Sequence, residues 1–130
     1  MDQALNVGFF VLHTSWVVFN CVGWLWPRTR PWHLTTIALT AASWFGLGIY
    51  YGWGYCPCTD WHWQVRARMG FHDPPSYIQL LISELTGLDV STAWADRLTV
   101  SVFALVAAMS VVLNLRDSRS ASRIRTETIE

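Results

Sequence analysis

The stretch LNVGFFVLHTSWVVFNCVGWLW, residues 5–26, contains no charged side chain and is long enough to cross a lipid bilayer as a helix. A bilayer core of about 30 Å needs roughly 20 apolar residues in an α-helix, which satisfies its own backbone groups where no water is available. Residues 33–53 and 98–115 have the same character. The sequence therefore predicts an all-α fold, a small membrane bundle of three transmembrane helices plus one or two short interfacial helices.

The composition agrees with a membrane protein. Charged residues make up only 14% of the 130 residues and hydrophobic residues 52%, whereas a soluble domain carries about 25% charged residues. The formal net charge is zero, and no basic stripe or motif indicates binding to nucleic acid. The expected surroundings are the lipid bilayer and either a second copy of the chain or a larger membrane complex.

The distribution of arginines predicts the orientation. Three crossings place the 27–32 turn and the tail on one side, with six arginines, and residues 54–96 with the N-terminus on the other side. The long connection up to Arg97 carries three arginines. Because cytoplasmic loops are enriched in Arg and Lys, the side with six arginines is expected to be cytoplasmic. We accordingly divide the chain into a membrane domain, residues 1–115, and a cytoplasmic Arg/Ser-rich tail, residues 116–130.

Aromatic and small residues fit this arrangement. Tryptophans gather where the spans end, as is typical of anchors at the membrane interface; the interface anchors are Trp24, Trp26, Trp53, Trp61 and Trp63. Small residues at a spacing of four allow close approach of membrane helices; the candidate packing residues are Gly48, Gly52, Ala104 and Ala108.

The connection at residues 54–96 predicts two short helices. The first is capped by Thr59 or Asp60 and stops at Gly70, and the second covers residues 76–85 and stops at Gly87. The second has too few residues for an ordinary crossing and suits an interfacial or re-entrant helix. In the alternative, four transmembrane helices, it crosses and moves the tail outside.

Cys56, Cys58 and His62 lie close together in sequence, and His13 of the first span could approach them from within the membrane. Thiolate and imidazole are ligands for zinc or copper, so a metal site is one hypothesis. A reducible Cys56–Cys58 disulfide is a second, and a simple turn shaped by Pro57 with no cofactor is the third. His33 is expected to act as an interfacial cap.

Several motifs together resemble a known family. They are His13, His33, the sequence CPCT at residues 56–59, DWHW at 60–63, Arg66, Gly70, and PSYI at 75–78. The chain, over about residues 8–115, is similar to the bacterial domain of unknown function 2784 (DUF2784) family. The resemblance implies a small helical protein of the bacterial inner membrane and supplies no established activity.

Two classes of function follow from the sequence. The first is a structural or accessory subunit of a membrane assembly. The second is a redox or metal-handling protein that uses the outward-facing Cys/His cluster. The sequence contains no phosphate loop, no paired carboxylates and no established nucleophile motif, and this favours the first class over an enzyme.

Overall fold

The structure is a computed structural model that describes residues 1–127, with side chains described for residues 1–122. These residues form helices, turns and loops, without β-strands. In chain order the helices are α1 (Asp2–Val22), α2 (Arg30–Ala41), α3 (Gly48–Tyr51), α4 (Pro57–Arg68), α5 (Tyr77–Thr86) and α6 (Thr92–Glu127). A 3-10 turn, Gly23–Leu25, follows α1, and a π-helical segment, Ala42–Leu47, joins α2 to α3. The prediction of an all-helical protein is confirmed.

Two helical stretches are long and apolar enough to cross a membrane, judged by length and composition. They are Asp2–Leu25 and Thr92–Ser122. In each of them only 11% of the most apolar window is buried within the protein. The core helix of a soluble protein would be mostly buried, so this exposure is typical of helices that contact lipid or another protein.

The stretch predicted as the middle span, residues 33–53, is not one regular α-helix. α2 has 12 residues, the π-helical segment has six, and α3 has four. None of them alone reaches the length of a crossing, although together they form a continuous helical run. Side chains of the π-helical segment make tertiary contacts. Trp44 packs on Phe103 of α6 with ring centroids 4.7 Å apart, and the Ser43 hydroxyl donates to the Tyr55 carbonyl at 2.7 Å.

α2 and α6 pack antiparallel to each other. Near the start of α2, the Arg30 guanidinium lies 2.9 Å from the carboxylate of Asp117. One turn later, His33 contacts Ser110, seven residues earlier on α6. α6 continues without interruption to Glu127, so the boundary expected after residue 115 does not coincide with a helix end. The end of the predicted tail, residues 128–130, lies outside the described residues.

The two short helices of the connection are present. α4 begins earlier than predicted, because Cys56 is the N-cap and Pro57 occupies the first helical turn; the expected cap at Thr59 or Asp60 is wrong. Pro at this position loses no hydrogen bond, since the first N–H groups of a helix have no internal acceptor. α5 ends at Gly87, whose φ of 70° is the left-handed conformation that glycine adopts readily.

Candidate functional site

A chain reversal after α3 builds the first part of the site. Gly52 ends α3 with a φ of 104°, a value that glycine adopts without steric cost. The chain then returns alongside α3, and a Cβ atom on Gly48 would lie 3.5 Å from the Cα of Trp53. This return carries Cys56 into the bundle, where it contacts His13 of α1.

α4 then runs alongside the N-terminal half of α1. Its first turn faces His13, and near its end the Arg68 guanidinium lies 3.4 Å from the carboxylate of Asp2. Eleven residues on α1 and nine on α4 separate these two contacts, so the helices are antiparallel over roughly 14–16 Å. The region between the expected spans is therefore packed against α1 rather than held away from it.

His13 is buried where α1, α4 and α5 meet. Its Nε2 lies 3.9 Å from the Cys56 Sγ, and its Nδ1 lies 3.5 Å from the Thr59 Oγ1. The imidazole also stacks on the Tyr77 ring, with centroids 3.9 Å apart. His13 thus faces the Cys56 turn, as expected for an ionisable side chain that avoids lipid.

Tyr77 anchors α5 to α1. Its hydroxyl donates to the Phe10 carbonyl at 3.2 Å and lies 2.9 Å from the Thr14 Oγ1. Burial raises the pKa of Tyr77 above its ordinary value, so the phenol stays protonated and available as a donor. The sequence alone does not mark Tyr77 as a site residue, although Tyr77 lies within the PSYI motif.

His62 is fully buried and lies one helix turn beyond Thr59 on α4. Its Nε2 lies 2.8 Å from the Asn6 Oδ1, which is an acceptor, so Nε2 carries the proton. The Nδ1 lone pair is then buried without a hydrogen-bond partner among the described residues. Burial, followed by the positive charge of Arg66, lowers the pKa of His62 below its ordinary value. His62 is therefore held as a neutral imidazole.

The two cysteines of the CPCT motif are free thiols with different surroundings. Both are half-buried, but the hydrogen-bond contact with a histidine belongs to Cys56. Burial, and then the proximity of Cys56, raise the pKa of the Cys58 thiol to about 11. Within residues 1–122, no three His, Cys, Asp or Glu side chains are grouped as a metal site requires. The structure thus brings His13 and Cys56 together without assembling the four predicted residues around one point.

A buried ion pair holds the turn after α4. The Arg66 Nε donates to the Asp73 Oδ1 at 2.6 Å, and both side chains are nearly inaccessible. The guanidinium also lies 4.5 Å from the centre of the Phe71 ring, a cation–π contact. Gly70, with a φ of 84°, allows the reversal that brings Asp73 back to Arg66. Arg66 and Gly70 stand among the motif residues of the sequence, but the sequence alone does not pair Arg66 with an acid.

His33 forms a second polar centre, and its predicted role as an interfacial cap is wrong. It is completely buried, with Nδ1 2.9 Å from the Ser110 Oγ and Nε2 2.9 Å from the Asn20 carbonyl oxygen. Its imidazole therefore links α1, α2 and α6. Gly23 permits the close approach of the His33 ring to α1, because a Cβ atom at position 23 would lie 3.0 Å from that ring.

The predicted helix-packing residues have other surroundings in the monomer. Gly48 lies against Trp53 of its own turn, and Gly52 serves the chain reversal with open space around it. Ala104 and Ala108 are exposed on α6. These two alanines leave small side chains on the exposed surface of α6.

The predicted interface anchors fall into two groups. Trp26, Trp53 and Trp61 are exposed, as a side chain in a membrane interface would be. Trp24 and Trp63 are half-buried: the Trp24 indole donates to the Cys21 carbonyl, and the Trp63 ring packs near Tyr77. Trp63 is thus also part of the packing around the site.

These observations define a small all-helical protein with two apolar helices of membrane-spanning length and a histidine–cysteine cluster between α1, α4 and α5. Residues 3–115 match the family described as Protein of Unknown function (DUF2784). The chain belongs to this family, and the resemblance predicted from its motifs is confirmed. Among curated proteins no match is found. Among solved structures there is likewise no match.

Proposed function

We propose that this protein is a multi-pass membrane protein that serves as a structural or accessory subunit of a membrane assembly. The observation that carries the proposal is the exposure of the apolar windows of α1 and α6, of which only 11% is buried. At about 25 cal/mol per Å² of apolar surface, exposure of these helices to water would be strongly unfavourable. Lipid and a partner protein are the two surroundings that remove this cost.

The proposed topology has three crossings, α1, the helical run from α2 through α3, and α6. The N-terminus lies outside and the C-terminus in the cytoplasm of a bacterial inner membrane. The arginine distribution supports this orientation, since Arg28, Arg30, Arg116 and Arg119 would all lie on the cytoplasmic side. The ion pair between Arg30 and Asp117 joins α2 to α6 at that end.

The face proposed for assembly is the exposed side of α6. Ser101, Ala104 and Ala108 share this side, at the centre of the exposed helical surface. In lipid, small residues favour association because they let two backbones approach closely. A second copy of the chain is the first partner to test, and a larger complex is the alternative.

Cross-linking of single cysteines in native membranes tests this proposal. The three native cysteines are replaced by Ser, and Ala104→Cys is compared with Leu105→Cys, a matched exposed position about 100° around the helix. Self-association predicts an oxidised dimer for Ala104→Cys and little for Leu105→Cys. Equal dimer yields for both positions would indicate random collision and contradict the proposed α6 interface.

Metal analysis and an absorption spectrum of the purified protein distinguish the accessory function from the metal-handling alternative. An accessory subunit is expected to purify without stoichiometric metal and without a cofactor band. One equivalent of zinc or copper, lost in the Cys56→Ser variant, would contradict the accessory function and favour metal handling.

A further inference from the structure

Cys56 and His13 meet across two helices in an arrangement that the accessory function does not require. The Cys56 Sγ lies 3.9 Å from the His13 Nε2, and the Thr59 Oγ1 lies 3.5 Å from Nδ1 on the other side of the ring. A thiol beside an imidazole whose second nitrogen is held by a third polar group is the usual arrangement of an activated cysteine nucleophile. Such contacts are often long before a substrate binds.

The start of α4 supplies a second element of the same chemistry. Cys56 is the N-cap of this 12-residue helix, and no side-chain hydrogen bond caps its first turn. Pro57 has no N–H, so the first free backbone donors belong to Cys58 and Thr59. Backbone N–H groups at a helix N-terminus stabilise a thiolate, and they stabilise the oxyanion that forms when a thiolate attacks a carbonyl carbon.

From this geometry we propose that Cys56 is the nucleophile, and His13 the base, of a site that accepts an activated acyl group from a thioester. The Cys56 thiol proton moves to the His13 Nε2 as the sulfur bonds to the carbonyl carbon. The carbon–sulfur bond to the leaving group breaks, and the leaving sulfur takes the proton from Nε2. The exchange involves no oxidation or reduction. Thr59 is a positioning residue that holds the His13 ring.

Cys58 provides a control within the same molecule. It is half-buried like Cys56 and lies two residues away. Its pKa, raised to about 11 by burial, leaves about one thiolate in ten thousand at pH 7. Since the thiolate is the reactive form, Cys58 reports the background rate of a half-buried thiol without activation, and the dependence of the Cys56 rate on His13 reports activation.

The experiment uses the full chain in detergent micelles at pH 7, with iodoacetamide as the first probe and peptide mass spectrometry to follow each cysteine. Cys56 is expected to react at least about tenfold faster than Cys58. His13→Asn should reduce the Cys56 rate at least about tenfold and leave the Cys58 rate unchanged. His72→Asn, which changes an exposed histidine outside the cluster, should leave both rates unchanged.

A second probe, the octanoyl thioester of N-acetylcysteamine, tests the acyl class. A hydroxylamine-sensitive octanoyl adduct is expected on Cys56 and not on Cys58, and it should be lost in His13→Asn. Circular dichroism and a thermal melt of His13→Asn separate loss of the base from loss of folding. Thr59→Val keeps the shape of the residue and should lower the Cys56 rates by a smaller factor than His13→Asn does.

Equal alkylation of Cys56 and Cys58, or an unchanged Cys56 rate in folded His13→Asn, would overturn the nucleophile. Fast alkylation of Cys56 without an octanoyl adduct would overturn the acyl class. None of these outcomes depends on self-association through α6, so failure here is distinguishable from failure of the accessory function.

Discussion

The His33 imidazole has two different hydrogen-bond partners. The Asn20 carbonyl oxygen can only accept, so Nε2 donates to it, and Nδ1 is paired with the Ser110 hydroxyl. Both ring nitrogens are therefore paired. Because the imidazole is completely buried, the removal of either partner leaves a polar atom without compensation.

Ser110→Ala is therefore expected to destabilise the protein by about 1 kcal/mol, within a range of roughly 0.5–2 kcal/mol for a buried hydrogen bond between helices. Ser101→Ala is the matched control, because Ser101 is exposed on the same helix. Unfolding in detergent micelles by titration with sodium dodecyl sulfate measures both. Equal midpoints for the two variants would show that the His33 contact contributes no stability.

His62 predicts a dependence of stability on pH. Its folded pKa lies below the unfolded value of about 6.5, so the folded state binds fewer protons than the unfolded state. The contribution of neutral His62 is complete above about pH 6.5 and declines as the pH falls below that value. We expect the wild type to lose more stability between pH 7.5 and pH 5 than His62→Asn does.

The same titration measures this effect at the two pH values. His72→Asn serves as the control, because it removes an exposed histidine and should keep the pH dependence of the wild type. If wild type and His62→Asn lost the same stability on acidification, His62 would not be the group that titrates.

At the residue scale, the sequence predicts a side chain's surroundings when the cost of the alternative is large. His13 lies inside an apolar stretch, where an unpaired imidazole is unfavourable, and the prediction that it faces the turn is confirmed. His33 lies at the end of a stretch, where either water or protein can satisfy it. Its burial depends on the close approach of Gly23, a tertiary contact with no local signal.

Among the elements, the turn from α3 to α4 determines whether Cys56 reaches His13. Gly52 has φ 104° and ψ 150°, a region that is essentially restricted to glycine, and its Cβ position faces open space. The cost of a side chain there is therefore one of backbone conformation alone. Gly46 also faces open space but lies within a helical segment.

Gly52→Ala is accordingly expected to destabilise the protein by about 1–3 kcal/mol. It should also slow the alkylation of Cys56, because the turn no longer holds that thiol against His13. Gly46→Ala is the matched control and should be neutral or slightly stabilising, since Ala favours a helix over Gly. A Gly52→Ala variant as stable as Gly46→Ala would contradict the assigned turn.

The ends of the short helices were predictable because local chemistry sets them. Gly87 ends α5 and Gly70 follows α4, both with positive φ, as expected from sequence. The start of α4 is predicted three to four residues late, because Thr59 and Asp60 are better cap residues than Cys56. Pro57 decides the start instead, since its fixed φ suits the first turn.

For the whole molecule, the apolar stretches predict the long helices but not how they pack. α1 and α6 coincide with two predicted stretches. The π-helical segment in the middle stretch, Ala42–Leu47, has no sequence signal as simple as a glycine or a proline at its start. The antiparallel pairing of α4 with α1 brings together residues more than forty positions apart, and the hydropathy of a single sequence carries no information on such contacts.

The proposed topology places α4 beside the outer half of α1 and the end of α6 in the cytoplasm. α5 has ten residues, about 15 Å as a helix, which is half the thickness of a bilayer core. A fourth crossing through α5 would leave lipid-exposed loop backbone unpaired, and it would move Arg116 and Arg119 to the outside, against the positive-inside tendency.

A reporter fused after Glu130 should therefore read as cytoplasmic, and the same reporter inserted after Gly87 should read as external. Two reporters are compared at each position. A phosphatase is active only outside the cytoplasm and a fluorescent protein only inside it, so the two give opposite signals at each position and control for expression. In the proposed topology, Arg116 and Arg119 help to keep the tail in the cytoplasm. Replacement of both by Gln should therefore weaken the cytoplasmic signal of the reporter at Glu130 and leave the external signal of the reporter at Gly87 unchanged. An external reading at Glu130 in the unaltered chain would contradict three crossings with the N-terminus outside and favour the four-crossing alternative.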